Sequence, residues 1–266
     1  MGVLNVTPDS FSDGGKFERL DDAVAQGVRM AEEGAAIIDI GGESTRPGSQ
    51  SVSLDEELRR VIPVIERLRS RTRVILSVDT SKAEVMRAAA AAGAAMINDV
   101  RALREPGALE AASNSGCAVC LMHMLGEPRT MQNAPTYRDV VREIRQFLEE
   151  RVAACVAAGL ADERIVLDPG FGFGKTQAHN LELLRRLSEL SVNGLPILAG
   201  LSRKSMIGAI TGRPADERVH GSVALAVIAA LNGARILRVH DVAATVDALN
   251  IVSAVQSGGH NRGSLP

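Results

Sequence analysis

Short apolar runs rich in β-branched residues recur along this chain. Each is followed by turn-forming residues and then by a stretch with helical spacing. The clearest run is 36–40, Ala-Ile-Ile-Asp-Ile, set between glycines as expected of a strand buried on both faces. Asp39 alone breaks it, and Gly41, Gly42, Glu43, Ser44, Thr45 and Arg46 follow before a helical pattern starts at Leu54. The same reading predicts strands at 2–6, 74–78, 96–98, 118–122, 165–168, 196–200 and 236–239. Helices are expected at 21–33, from a capping box of Ser53 and Glu56 through Leu68, and from a second box of Ser81 and Glu84 to Ala92. Others are expected at 106–115 and 137–158, in a leucine-rich stretch to Leu190, in two segments ending near Asn232, and at 242–256. Pro63 falls inside the second helical pattern and should kink or bound that helix.

Eight strand–helix alternations with no linker imply an α/β fold, a single-domain (β/α)8 TIM barrel over 1–256, with 257–266 as a disordered tail. No break in the alternation marks the switch point of an open doubly wound sheet. The length of 266 residues fits one such domain of roughly 250 residues.

Composition narrows the function classes. Apolar residues make up 45% of the chain but aromatics only 2%, so the core must be built of Ala, Val, Leu and Ile. A net charge of −2 gives no electrostatic reason to expect nucleic acid or an anionic membrane as partner. No apolar stretch approaches a membrane span, no export leader opens the chain, and three cysteines suit a reducing compartment. A cytoplasmic protein is expected.

Candidate chemistry gathers at the strand ends. Asn5, Asp39, Asp79, Asn98, Asp168, Arg238 and His240 all stand there. Any one could cap the following helix. A cap, however, belongs just before a helix rather than inside an apolar run, and in a barrel all these ends open on one face. The four lysines, Lys16, Lys82, Lys175 and Lys204, each follow an expected strand. Lys82 reads as solvated, whereas Lys204 lies after strand seven, where such barrels bind phosphate. Phe11, Phe17, Phe171 and Phe173 lie in glycine-rich loops, as rim cover or as walls for a flat aromatic ligand. Three apparent motifs fail. The P-loop-like 174–176 has Pro169 where glycine is required. Cys117 and Cys120 sit on opposite faces of a strand. His123 has no assignable nucleophile and reads as structural.

The stretches 5–15, 39–48, 77–81, 97–99, 121–124, 168–175, 202–206 and 238–241 together resemble the dihydropteroate synthase family of folate biosynthesis. The resemblance covers nearly the whole chain. Members usually carry an N-terminal strand or hairpin ahead of the position of Met1, so a barrel floor lacking that cover is expected. The resemblance implies condensation of a dihydropterin diphosphate with p-aminobenzoate, releasing diphosphate. It implies that Asp79, Asn98 and Asp168 read the pterin edge, with Met122 and Arg238 against its faces and Asp39 supporting the floor. It further implies that Lys204 reaches the pterin, that Thr45, Arg238 and His240 hold the diphosphate, and that Asn5 contributes to a Mg²⁺ site. Phe11, Arg46, Pro47, Phe173 and Ser205 would border p-aminobenzoate. Lys204, Arg238 and His240 are the expected catalytic groups, and a homodimer is expected. Two other readings stay open. One is the pterin-binding domain of a corrinoid-linked methyltransferase, which would not need the 45–47 loop. The other is a generic phosphate-binding barrel enzyme, which would not need all the motifs together.

Overall fold

The structure, a computed structural model, describes residues 1–6, 16–44, 51–126, 131 and 134–257, with 16–19 described only as helix backbone. Eight parallel strands lie in sequence order: β1 (Gly2–Asn5), β2 (Ile37–Gly41), β3 (Ile75–Asp79), β4 (Met96–Asp99), β5 (Ala118–Met122), β6 (Ile165–Asp168), β7 (Ile197–Ala199) and β8 (Ala234–Leu237). Helices alternate with them to form a TIM-like barrel: α1 (Lys16–Glu32), α2 (Leu54–Arg71), α3 (Ala83–Ala92), α4 (Ala108–Asn114), α5 (Val140–Ala157), α6 (Gln177–Arg185), α7 (Ser205–Thr211), α8 (Val219–Leu231) and α9 (Val242–Gln256). Past β8, Val239 N–H donates to the Met1 carbonyl at 2.9 Å, and Val3 N–H donates to the Val239 carbonyl at 2.9 Å. The expected tail lies, beyond Ser257, outside the described residues.

The strands divide the core in two because successive side chains point to opposite faces. Leu4, Ile38, Ile40, Val78, Ile97, Leu121 and Leu167 belong to the large core shared with the helices. Met96, Cys120, Val166 and Leu198 form a separate cluster, with Met1, Ile37, Ala118 and Ile236 packed against it. These are alternate positions of successive strands and fill the lower barrel interior. Cys117 is in the first cluster and Cys120 in the second, on opposite faces as expected.

Several helix ends differ from the sequence reading. Ser53 caps α2, accepting from Glu56 N–H at 3.3 Å, but the Glu56 carboxylate turns to Arg59 and Arg60 instead of closing the box. The second box does not form: Lys82 is the N-cap of α3 without a side-chain cap, and Ser81 donates to Asp99. A complete box instead opens α6, where Thr176 and His179 each accept the other's backbone N–H at 3.2 Å. Pro63 neither bounds nor interrupts α2. The buried stripe of Val61, Val64, Ile65 and Leu68 surrounds it, and tertiary packing of that stripe outweighs one lost backbone bond. α1 begins at Lys16, so the loop after β1 ends earlier than the composition suggested.

Candidate active site

Alternation explains why Asp39 interrupts an apolar strand. Ile38 and Ile40 face the helices, which leaves Asp39 facing the barrel interior, paired in register with Val3 and Ser77. It is wholly buried and saturated. Ser77 Oγ donates to it at 2.6 Å, Asn98 Nδ2 at 3.0 Å and Arg238 Nε at 2.6 Å. The other edge of the Arg238 guanidinium donates to Asp79 Oδ2 at 2.7 Å. One arginine from the end of β8 thus ties together β2 and β3, and a layer of hydrogen-bonded polar side chains sits above the apolar interior.

Above that layer lies one cavity. Asp79, Asn98, Met122, Asp168, Phe173, Lys204, Arg238 and His240, all singled out in the sequence, line it. Asp39 does not touch it and acts only through its partners. Ser205, the first residue of α7, is exposed and does not line it either. Asn5 ends β1 beside Asp79: a Cβ built on Gly41 would lie 3.8 Å from both Asn5 Oδ1 and Asp79 Oδ2. Phe11, Thr45, Arg46 and Pro47 lie outside the described residues. The sequence reading assigned no role to Val3, Val100, Gly200 or Ser202, which also line the cavity. Ser202 is the informative one, since His240 N–H donates to its Oγ at 3.2 Å and His240 Nδ1 lies 3.0 Å from it. Its place in the 202–206 motif was the available signal.

The mouth crowds acidic and basic groups together. Asp39, Asp79 and Asp168 face Arg238 and Lys204, three carboxyl groups against two basic ones. Burial pushes the Asp79 carboxyl up to about 7, reinforced by Asp39 and opposed by Arg238. Burial also raises Asp168, against Lys204 and the Gly170 N–H that donates to its Oδ1 at 2.7 Å. Burial pulls the Lys204 ammonium down to about 8, with Asp168 holding it up. Lys204 Nζ reaches the Phe171 carbonyl and lies 4.6 Å from the centre of the Phe173 ring.

Two expectations need correction. Lys82 is only partly solvated: its side chain is 28% exposed and its ammonium is held between Glu43 and Glu57, of which Glu57 is only 1% exposed. Phe171 is neither rim cover nor ligand wall, being fully buried in the strand–helix core. Lys175 lies inside the protein, 3% exposed, against His123. Burial and Lys175 push the His123 imidazole down to about 2, so it stays neutral, as a structural histidine would.

A family model described as pterin binding enzyme matches residues 1–240. The chain is 56% identical to the dihydropteroate synthase of Escherichia coli K12 over 262 residues, covering 98% of this chain and 93% of that one. The crystal structure of the Yersinia pestis dihydropteroate synthase with a sulfonamide drug complex superimposes with a TM-score of 0.92 at 57% identity, covering 97% of this chain and 94% of that one. The Xanthomonas albilineans dihydropteroate synthase with 4-aminobenzoic acid gives a TM-score of 0.92 at 59% identity, covering 97% and 92%.

The Asp79 shift has a measurable consequence. A carboxyl whose folded value exceeds its unfolded value binds its proton more tightly in the folded state. Its contribution to stability is therefore lost as pH rises from about 4 through about 7. Urea unfolding of the ligand-free protein across this range should show a negative slope that Asp79→Asn removes. The difference should approach about 1.4 kcal/mol per pH unit, the limit for one proton. Parallel profiles for the two proteins would show that Asp79 titrates normally.

Proposed function

The chain belongs to the dihydropteroate synthase family, and from that premise we propose how its barrel mouth works. The enzyme is a transferase that condenses 6-hydroxymethyl-7,8-dihydropterin diphosphate with p-aminobenzoate, releasing diphosphate and 7,8-dihydropteroate. The convergence of eight motif residues on one cavity carries this reading. A corrinoid-linked pterin domain is not favoured beside relatives more than half identical over nearly the full chain. The two main-chain bonds between Val239 and the first strand support a fully closed (β/α)8 barrel.

The pterin sits deep in the mouth, with Asp79, Asn98 and Asp168 at its hydrogen-bonding edge and Met122 and Arg238 at its faces. Asp168 accepts from the ring amidine, and charge-assisted bonds of this kind contribute about 1.5–3 kcal/mol each. Lys204 donates to the opposite edge. Leaving diphosphate draws electrons from the methylene, and positive charge spreads onto the pterin. The acidic floor stabilises that charge without moving, because Arg238 and Asn98 already fix Asp39 and Asp79. Arg238 and His240 meet the departing diphosphate, together with Thr45. p-Aminobenzoate then attacks from the rim formed by Phe173, Ser205, Phe11, Arg46 and Pro47, so no protein nucleophile is needed.

A diphosphate leaving group calls for a hard cation, and Mg²⁺ takes most of its ligands from phosphate oxygens and water. Asn5 Oδ1 fits that demand, as an oxygen donor at the mouth beside Asp79. Among the described residues no group of three or more His, Cys, Asp or Glu could hold a metal by itself, which agrees with a cation brought in by its substrate. When bound, Mg²⁺ would neutralise the diphosphate.

The surface supports an oligomeric state as well. α8 and α9 pack together, carry Asp247 as their only acidic or basic residue apart from His220, and expose Leu231 (55%), Ile251 (66%) and Val255 (75%). An apolar face of this kind supports a homodimer. Sedimentation velocity should show a dimer that Ile251→Glu dissociates, and a monomer at micromolar concentration would contradict it. No helix among the described residues is long and apolar enough to cross a membrane.

The direct test of function is release of diphosphate from the dihydropterin diphosphate, measured with and without p-aminobenzoate. Release should depend on the amine. Asp168→Asn should weaken pterin binding by calorimetry at least tenfold, about 1.4 kcal/mol, in a folded protein. Turnover that p-aminobenzoate does not accelerate, with no dihydropteroate formed, or unchanged pterin binding, would overturn the assignment.

A further inference from the structure

The reaction above gives Lys175 no part, yet its placement is costly. It is 3% exposed, and burial drives its ammonium well below the ordinary lysine value, with Lys204 adding to the fall and Asp168 opposing it. Among the described residues no carboxylate pairs with it directly. Its Nζ meets three neutral acceptors instead: the Phe173 carbonyl at 2.9 Å, the His123 carbonyl at 3.3 Å and His123 Nδ1 at 3.0 Å. A buried lysine amine with only neutral partners is hard to explain by stability alone, since an apolar side chain of similar volume would avoid the cost of burying its polar head.

What those contacts hold is the loop after β6. Its backbone crosses so close to the end of β5 that a Cβ at Gly170 would overlap the His123 carbonyl oxygen, while Gly174 lies against Leu125. Tyr137 Oη donates to the Gly174 carbonyl at 2.8 Å, and Gly172 N–H donates to Asn180 Oδ1 at 2.8 Å. Phe173 itself is half-buried at the cavity wall, with Lys204 over its ring on the cavity side. Lys175 holds the carbonyl of the same residue from behind. Phe173 is thus held at two points, its ring under Lys204 in the site and its carbonyl by Lys175 in the core. The His123 ring, the third member, is itself fixed edge-on by Phe147 at 4.9 Å between centres.

We propose that Lys175 is a positioning residue: from within the core it fixes the Phe173 main chain, and so the aromatic wall on which the amine substrate rests. His123 serves as its neutral acceptor. The effect is on the second substrate more than on the pterin, whose edge is read by residues that Lys175 does not touch. This inference rests on the place given above to Phe173, and the two can fail separately.

The test is a double-mutant cycle on the purified enzyme, reading KM for p-aminobenzoate, kcat, pterin affinity by calorimetry and melting temperature. Phe173→Ala should raise the amine KM at least tenfold. Lys175→Met should raise it by a similar factor while pterin affinity changes less than twofold. The double variant should be no worse than Phe173→Ala alone, because Lys175 acts through that ring. If Lys175→Met does not fold, Lys175→Gln, whose amide can still donate to the Phe173 carbonyl, should give the same pattern with a smaller rise. An unchanged KM in Phe173→Ala would remove Phe173 from the amine subsite. With Phe173→Ala as expected, three results would overturn the role of Lys175. They are an unchanged KM in the lysine variant, equal loss for both substrates, and additive effects in the double variant.

Discussion

The guanidinium of Arg238, held between Asp39 and Asp79, is the contact on which the upper barrel depends. Breaking a buried pair of this kind leaves a charge with no solvent to receive it, at a cost of about 3–5 kcal/mol. The geometry is close: 2.6 Å to Asp39 and 2.7 Å to Asp79, with the third carboxylate, Asp168, across the cavity. Asp39 spends its remaining capacity on Ser77 and Asn98. Four strands, β2, β3, β4 and the end of β8, are thereby locked at one height. Asn98 and Arg238, which meet substrate, are held by Asp39, which does not.

That lock separates two tasks within one barrel. Below it, Met96, Cys120, Val166 and Leu198 fill the interior as any core does. Above it, the interior carries three carboxyl groups around Arg238 and a lysine whose ammonium is drawn down to about 8. A site that must bind a polar heterocycle and then tolerate positive charge on it needs fixed anions in a water-poor place. The apolar plug keeps water out from below, and the shared guanidinium of Arg238 offsets the repulsion between Asp39 and Asp79. The crowding of acidic groups in the floor is thus part of the chemistry, and it is maintained by the packing of the fold around it.

Much of this was legible in the sequence, for a physical reason. A barrel strand buried on both faces reads as continuous apolar residues, so a polar one inside it, such as Asp39, is conspicuous. Residues at strand ends, such as Asp79, Asn98, Asp168 and Arg238, inherit a common face from topology alone. Other features were hidden because they depend on contacts distant in sequence. Ser202 looks like an ordinary loop serine until His240 arrives from 38 residues away. Lys82 looks solvated because lysine usually is, and its pairing with Glu57 is invisible in the sequence, as is the burial of Lys175 against His123. Phe171 and Phe173 are indistinguishable in a glycine-rich loop, yet one is core and the other cavity wall. Helix caps failed similarly, since Ser81 fits a box but finds Asp99 a better partner.

The central claim is that the pterin site is organised by a residue the pterin never touches. Asp39→Asn tests it most directly, since the change keeps the side chain's shape and removes only its charge. Pterin affinity by calorimetry, on protein shown to be folded by its melting transition, should fall at least tenfold as Arg238 loses its buried anchor. Affinity equal to that of the unaltered enzyme would mean that the contacts lining the cavity suffice, and that the buried pair beneath them does not set the site.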